Sequence, residues 1–347
     1  MFIVIPCYKE PGLNKTLESL YMCNNPGLKV RVVVVINQAE NCDIEIDALN
    51  KQTYNSAMQW LNRQSSTFIE VKFLKEILPS KDAGVGLARK IGMDYAAKCL
   101  IKENNPHGVI VCLDADCTVD PNYLIEIVQH FSKNPRSPAS SIHFEHPLEG
   151  YMPQKVYEAI LEYELHLRYY INALRFAGHP FAFHTIGSSM AVRADVYLKQ
   201  GGMNKRKAGE DFYFLQKIIP LGHFTEITGT TVIPSPRISD RVPFGTGKAV
   251  GEFVKSEKQE TYSFRTFYDL KVFIDHVQPI YHNHVNYLNL PESIIAFLEQ
   301  HDFEKKIREI KANTTNFESF YNRFFRWFNA FMTLKYVHFA RDHYYPN

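Results

Sequence analysis

Two aspartates separated by one alanine, Asp114 and Asp116, close an apolar run in the stretch GVIVCLDAD. Carboxylates at the carboxyl end of a buried strand are poorly placed for packing. They are well placed to hold a hard divalent cation that carries a phosphate ligand. The competing reading makes them turn and cap residues, because Asp120-Pro121 follows and leads into a helix. Three other stretches carry chemistry-bearing side chains. Gly84 and Gly86 precede a helix, where backbone N–H groups favour anions, and Arg89 lies one turn in, within reach of a phosphate or engaged in a surface ion pair. Glu210 and Asp211 open another helix, whose dipole favours ionised acids; a plain complement to the helix end is the alternative. Arg237 and Arg241, four apart and followed by Gly245-Thr246-Gly247-Lys248, suit either a mobile lid that clamps phosphates or an exposed linker. Their spacing is not that of a P-loop.

These residues need a frame. Phe2–Pro6, Val30–Ile36, Phe68–Leu74 and 109–113 read as strands, the second rich in β-branched residues as a central parallel strand is. Helical spacing recurs at Leu13, Leu17 and Leu20, from Ile46 to about Arg63, and from Lys81 onward. Strands alternating with helices predict an α/β, mostly parallel sheet, with ligands outside the carboxyl ends of the strands. Tyr8–Glu10, Asn37 and Asp114–Asp116 all fall there. Beyond residue 121 the spacing predicts a long helix over 154–176, an extended piece over 184–193, a helix from Gly209, and two short extended pieces over 223–228 and 230–234. The last hundred residues read as helical and aromatic, and no internal repeat is present.

Composition narrows the function classes. Of 347 residues, 39 are basic and 37 acidic, a balance that argues against nucleic acid as a partner. Six cysteines, none in a C-x-x-C pair and all within the first 117 residues, predict buried free thiols and a reducing compartment. Met1 leads straight into FIVIP without a basic n-region, so no signal peptide is expected. No apolar run approaches the roughly 18 residues that span a bilayer. A cytoplasmic protein is expected, at most associated with a membrane surface.

PCYKE at 6–10, KDAGVGLARK at 81–90, DAD at 114–116 and GED at 209–211 occur in an order that resembles family-2 glycosyltransferases of the GT-A fold, over roughly the first 235 residues. The resemblance implies transfer of a sugar, of the hexosyltransferase type, from a nucleotide-sugar donor to a carbohydrate or lipid-linked acceptor, with Mn²⁺ or Mg²⁺ on the diphosphate. It implies donor contacts at Pro6, Tyr8, Glu10, Asn37, Gly84, Arg89 and Asp114, metal ligation by Asp116 and Asp114, and a catalytic pair in Asp211 and Glu210; donor contacts at Arg237 and Arg241 are expected from their charge and spacing, outside the stretch that carries the resemblance. Asp211 as general base would invert configuration at the sugar. Asn37 departs from the pattern, since relatives usually carry Asp there to read the base. A third metal ligand from beyond the base would come from His223, His282 or His284. The implied division is a catalytic domain over 1–235, with a nucleotide-binding half 1–120 and an acceptor half 121–235, then a lid-like loop and helical region over 236–347.

Two other functions fit part of the pattern. Asp114-Ala-Asp116-Cys-Thr118 fits the D-x-D-x-T of haloacid-dehalogenase-type phosphotransferases, with Asp114 as nucleophile, although that motif usually lies near the chain start. A sugar-nucleotide-binding protein without catalysis is the other. Finally, Phe317, Phe320, Phe324, Phe328 and Phe331 recur at steps of three and four among Arg323, Arg326 and Lys335. Such a stripe fits a helix packed into a core or one lying on an anionic membrane.

Overall fold

The computed structural model describes residues 1–239, 245–256, 258–282 and 289–346. The chain divides into two units, Met1–Leu161 with Thr185–Lys255, and Glu162–His184 with Ser256–Asn347.

The first unit is a mixed sheet flanked by helices. Its elements are β1 (Phe2–Cys7), α1 (Leu13–Tyr21), β2 (Val30–Ala39), α2 (Ile44–Leu61), β3 (Ile69–Leu78), α3 (Val85–Lys102), β4 (Val109–Cys112), β5 (Thr118–Val119), α4 (Tyr123–Lys133), β6 (Ala139–Phe144), the start of α5 (Gln154–Phe176), β7 (Met190–Arg193), α6 (Ala194–Lys199), α7 (Glu210–Ile218), β8 (Thr225–Ile233) and α8 (Thr246–Ser256). The strands run in the order β3-β2-β1-β4-β7-β6-β8-β5. The first four are parallel, as their helical crossovers require. All six residues of β1 are buried, and so are Val32–Ile36 of β2, which explains their unbroken apolar runs. Direction then reverses: β7 lies antiparallel to both β4 and β6, while β8 runs parallel to β6 and antiparallel to β5.

Several boundaries differ from the sequence reading. β2 and β3 continue to Ala39 and Leu78, paired residue for residue, so Asn37 lies within a strand and not at its end. The two extended pieces over 223–234 form one strand, β8, with a register shift opposite Ile142 and Phe144 that interrupts its pattern. A cut at 235 also differs from the two units. Residues 162–184 go with the C-terminal helices because Ala173, Leu174, Ala177 and Ala182 belong to that helical core.

The second unit comprises the remainder of α5 with α9 (Phe264–Asp275), α10 (Val277–Tyr281), α11 (Glu292–Glu299), α12 (Phe303–Ala312), α13 (Phe317–Trp327) and α14 (Ala330–His343). Its core is dominated by phenylalanine: Phe267, Phe273, Phe297, Phe320, Phe324 and Phe328 are all buried. The aromatic stripe is split between two helices, because the Asn329 side chain accepts from the N–H groups of Phe331 and Met332 and starts a new helix. Phe320, Phe324 and Phe328 point inward and Arg323, Arg326 and Lys335 are exposed. These three phenylalanines are core, while Phe317 and Phe331 are half-buried. No helix among the described residues is long and apolar enough to cross a membrane. All six cysteines are free; Cys42 and Cys99 are half-buried and the other four buried.

Candidate active site

β4 ends at Cys112, and the chain turns at once. The Leu113 N–H donates to the Val4 carbonyl, and the Cys117 N–H to the Asp114 carbonyl. From α1, the buried Thr16 hydroxyl donates to the Ala115 carbonyl at 2.9 Å. Ala115 is thereby held inside the turn, and the aspartates on either side of it are left part-exposed.

Each aspartate faces an arginine. Arg89, projecting from the first turn of α3, is 1% exposed and donates from Nη2 to Asp114 Oδ1 at 2.6 Å. Its Nη1 donates to Glu210 Oε1. A single guanidinium therefore joins the end of β4 to the start of α7. The fit depends on Gly187, entering β7, where an added Cβ would lie 2.6 Å from Arg89 Nη1. Among the described residues Arg89 Nε has no hydrogen-bond partner, so its Nη groups carry the connection. The sequence reading sent Arg89 to a phosphate or a surface ion pair; the structure places it in a buried one.

Asp116 faces Arg237, whose Nη2 donates to Asp116 Oδ2 at 2.7 Å and also to Glu10 Oε2. Arg237 Nη1 reaches Glu10 Oε1 at 3.0 Å. Glu10 is 1% exposed and also accepts from the Gly12 N–H. Arg237 arrives here because β8 pairs Ile233 with Thr118, so the chain leaving β8 emerges beside the Asp114–Asp116 turn. Burial pushes the Asp116 carboxyl up to about 6, with Arg237 pulling down and Asp114 and Glu10 pushing further up.

α7 starts after Gly209, which adopts a left-handed φ of 67° that favours glycine. Glu210 is buried. Burial pushes it up to about 7 against the pull of Arg89, and Asp211 adds to the rise. Asp211 is half-buried and accepts from the Phe212 N–H at 2.7 Å. Burial raises it too, opposed by Arg89 and by the backbone N–H groups of Phe212 and Gly187.

The other sequence candidates have structural surroundings of their own. Asn37 is buried, and its Nδ2 donates to the carbonyls of Cys7 and Val35, so its amide ties β1 to β2. Asn50, which the sequence reading missed, donates to the Asn37 carbonyl and accepts from the N–H of Lys9, a residue with a left-handed φ of 51°. Together they shape the loop carrying Tyr8–Glu10. Gly84 and Gly86 serve close packing: an added Cβ on Gly86 would collide with the Arg206 carbonyl oxygen, and one on Gly84 would lie 3.0 Å from Lys207 Cα. Gly86→Ala is therefore expected to lower stability by about 2 kcal/mol, as overpacking against backbone does, measured as a lower urea midpoint at unchanged m-value.

Pro6 and Tyr8 lie at the carboxyl end of β1. His223 lies two residues before β8 and ten residues from Ile233, which pairs with Thr118 beside the acidic turn. His282 belongs to the second unit. Arg241 and His284 lie outside the described residues.

Among the described residues no group of three or more His, Cys, Asp or Glu side chains is arranged around a metal position. That is compatible with a hard cation held jointly with phosphates, which takes one or two carboxylates from protein. Asp116 fits such a role, since it is part-buried and already faces a cation, the Arg237 guanidinium. Asp114 gives one oxygen to Arg89 and keeps 38% of its side chain exposed.

A sequence profile for "Glycosyltransferase like family 2" matches residues 1–217. The chain belongs to this family. Sugar transfer is the general activity that membership carries, and it displaces the phosphotransferase alternative. Among solved structures, residues 1–349 of S. aureus TarS in complex with UDP-GlcNAc align at 13% identity and TM-score 0.47, covering 80% of this chain and 72% of that one. The complex of the same protein with UDP aligns at 15% identity and TM-score 0.45, covering 83% and 73%. A further TarS 1–349 structure gives 15% and 0.43, covering 67% of this chain and 60% of that one. No curated protein sequence matches the chain.

Proposed function

We propose that the chain is a metal-dependent glycosyltransferase of the GT-A type, moving a sugar from a nucleotide-sugar to an acceptor hydroxyl with inversion. The observation that carries this reading is the Arg89 bridge, which fixes the Asp114–Asp116 turn and the Glu210–Asp211 helix start at one end of the sheet. A transferase needs this pair of functions side by side: charge neutralisation on a leaving diphosphate and a base for the incoming hydroxyl.

In this reading Asp116, with Asp114 beside it, holds Mn²⁺ or Mg²⁺. The bound cation supplies neutralisation of the charge that develops on the leaving diphosphate. Asp211 takes the acceptor hydroxyl proton on its carboxylate. Phe212 N–H orients that carboxylate, and the N-terminus of α7 favours its charged form. Glu210, bonded to Arg89, sets where α7 begins and so positions Asp211. Tyr8 faces the donor side at the end of β1, and the buried Glu10 acts there through Arg237.

The test is a thermal-shift screen of UDP-, GDP-, CMP- and dTDP-sugars with and without Mn²⁺. One nucleotide class is expected to raise Tm, and to do so only with Mn²⁺, by binding linkage. Stabilisation that ignores the metal in every class would reject the metal-dependent reading.

A further inference from the structure

Arg237 makes two kinds of contact that differ in permanence. Its two Nη groups face both oxygens of Glu10, and Nη2 alone also reaches Asp116 Oδ2. Glu10 is 1% exposed and anchored by the Gly12 N–H, so an unpaired charge there is costly and its arginine is not readily given up. Asp116 is more exposed, with 28% of its side chain open to solvent against 2% for Glu10. Its other oxygen, Oδ1, lies 3.8 Å from the buried Cys117 thiol. Arg237 thus holds one of the two carboxylate oxygens that a cation approaching Asp116 would use.

We infer that Arg237 is a built-in placeholder cation that competes with the divalent metal for Asp116, with Glu10 as its resting counter-ion. This rests on the assignment of Asp116 as a metal ligand. A guanidinium and a divalent cation cannot share one carboxylate oxygen without like-charge repulsion. Metal entry therefore makes Arg237 release Asp116 while it keeps Glu10, and metal departure lets the guanidinium return. The exchange keeps the acidic turn neutralised without metal, and it lowers affinity for a cation that arrives without its phosphates.

The probe is Mn²⁺ alone, titrated against the full chain and followed by the EPR signal of free Mn²⁺, a readout independent of turnover. Arg237→Gln is expected to bind Mn²⁺ at least tenfold more tightly than the parent chain. Glu10→Gln, which leaves Asp116 as the only anionic partner of Arg237 in this contact, is expected to bind it more weakly. Asp116→Asn is expected to abolish the tight binding in the Arg237→Gln background. Circular dichroism melts of each variant show that the fold is retained. Mn²⁺ binding that depends on Asp116 but is unchanged by Arg237→Gln would overturn the placeholder and leave the metal site standing. No Asp116-dependent binding in either background would overturn both.

Discussion

Asp211→Asn is expected to lower kcat by roughly 10³-fold, the scale of a lost general base, while donor affinity changes by less than about threefold. The two side chains are the same size, and the Asn oxygen can still accept the Phe212 N–H that holds Asp211, so the helix start need not move. What the amide cannot do is take a proton from an acceptor hydroxyl. Burial raises the Asp211 carboxyl from its ordinary value, so the parent enzyme should lose kcat on the acid side as the base is protonated. The variant's residual rate should lack that limb. Steady-state kinetics across pH with the nucleotide-sugar identified by thermal shift gives both readings. Turnover within threefold of the parent would remove Asp211 from the chemistry.

Arg89→Met is expected to cost about 3–5 kcal/mol of unfolding free energy, the range for breaking a buried ion pair by removing one partner. The methionine fills much of the space but leaves Glu210 buried without its cation and Asp114 without its hydrogen bond. The effect has a pH signature. Burial holds the folded-state Glu210 up near 7, and without Arg89 it rises further, above its value of 4.5 in the unfolded chain. A carboxyl raised on folding favours the fold while it is protonated and opposes it once it ionises. The destabilisation should therefore be smaller at pH 5 and grow as pH climbs through 7 to 8. The double variant Arg89→Met with Glu210→Gln should recover more than 1 kcal/mol of the loss, because the pair is coupled. Urea unfolding at the two pH values decides it, and a loss below 1 kcal/mol, flat with pH, would show that Arg89 is not the tie that joins α7 to β4.

The parallel half of the sheet was legible because its information is local. FIVIP and VRVVVVI carry uninterrupted β-branched and aliphatic runs, and a strand buried on both faces shows this without reference to its neighbours. The Asp114–Asp116 turn was legible for the same reason, as an abrupt stop in such a run. Partnership was not. Nothing local to Arg89 says that its charge meets Glu210, 121 residues away, or that Arg237 returns to Glu10 across 227 residues. Those contacts exist because β8 ends beside Thr118 and because α7 follows β7, which pairs directly with β4, and antiparallel pairing leaves little periodic trace in strands this short. Gly187 had a signal, small residues at the centre of HTIGSSMAVR, but its meaning required knowing which side chain would lie against it. Asn37 was misread because a turn-favouring residue at the end of an apolar run looks like a terminus, when here its amide bridges two strands.

The bridge through Arg89 also bears on how this chain is made. During synthesis β1 to β4, and with them Arg89 and Asp114, leave the ribosome well before Glu210 does. In that interval a guanidinium destined for complete burial has one of its two acidic partners missing. The first 120 residues, expected from the sequence to be the nucleotide-binding half of one domain, thus carry a charge that the rest of the unit neutralises. A nascent chain halted before residue 210 should hold α3 loosely on the sheet, be open to proteolysis near residue 89, and tighten only when α7 docks.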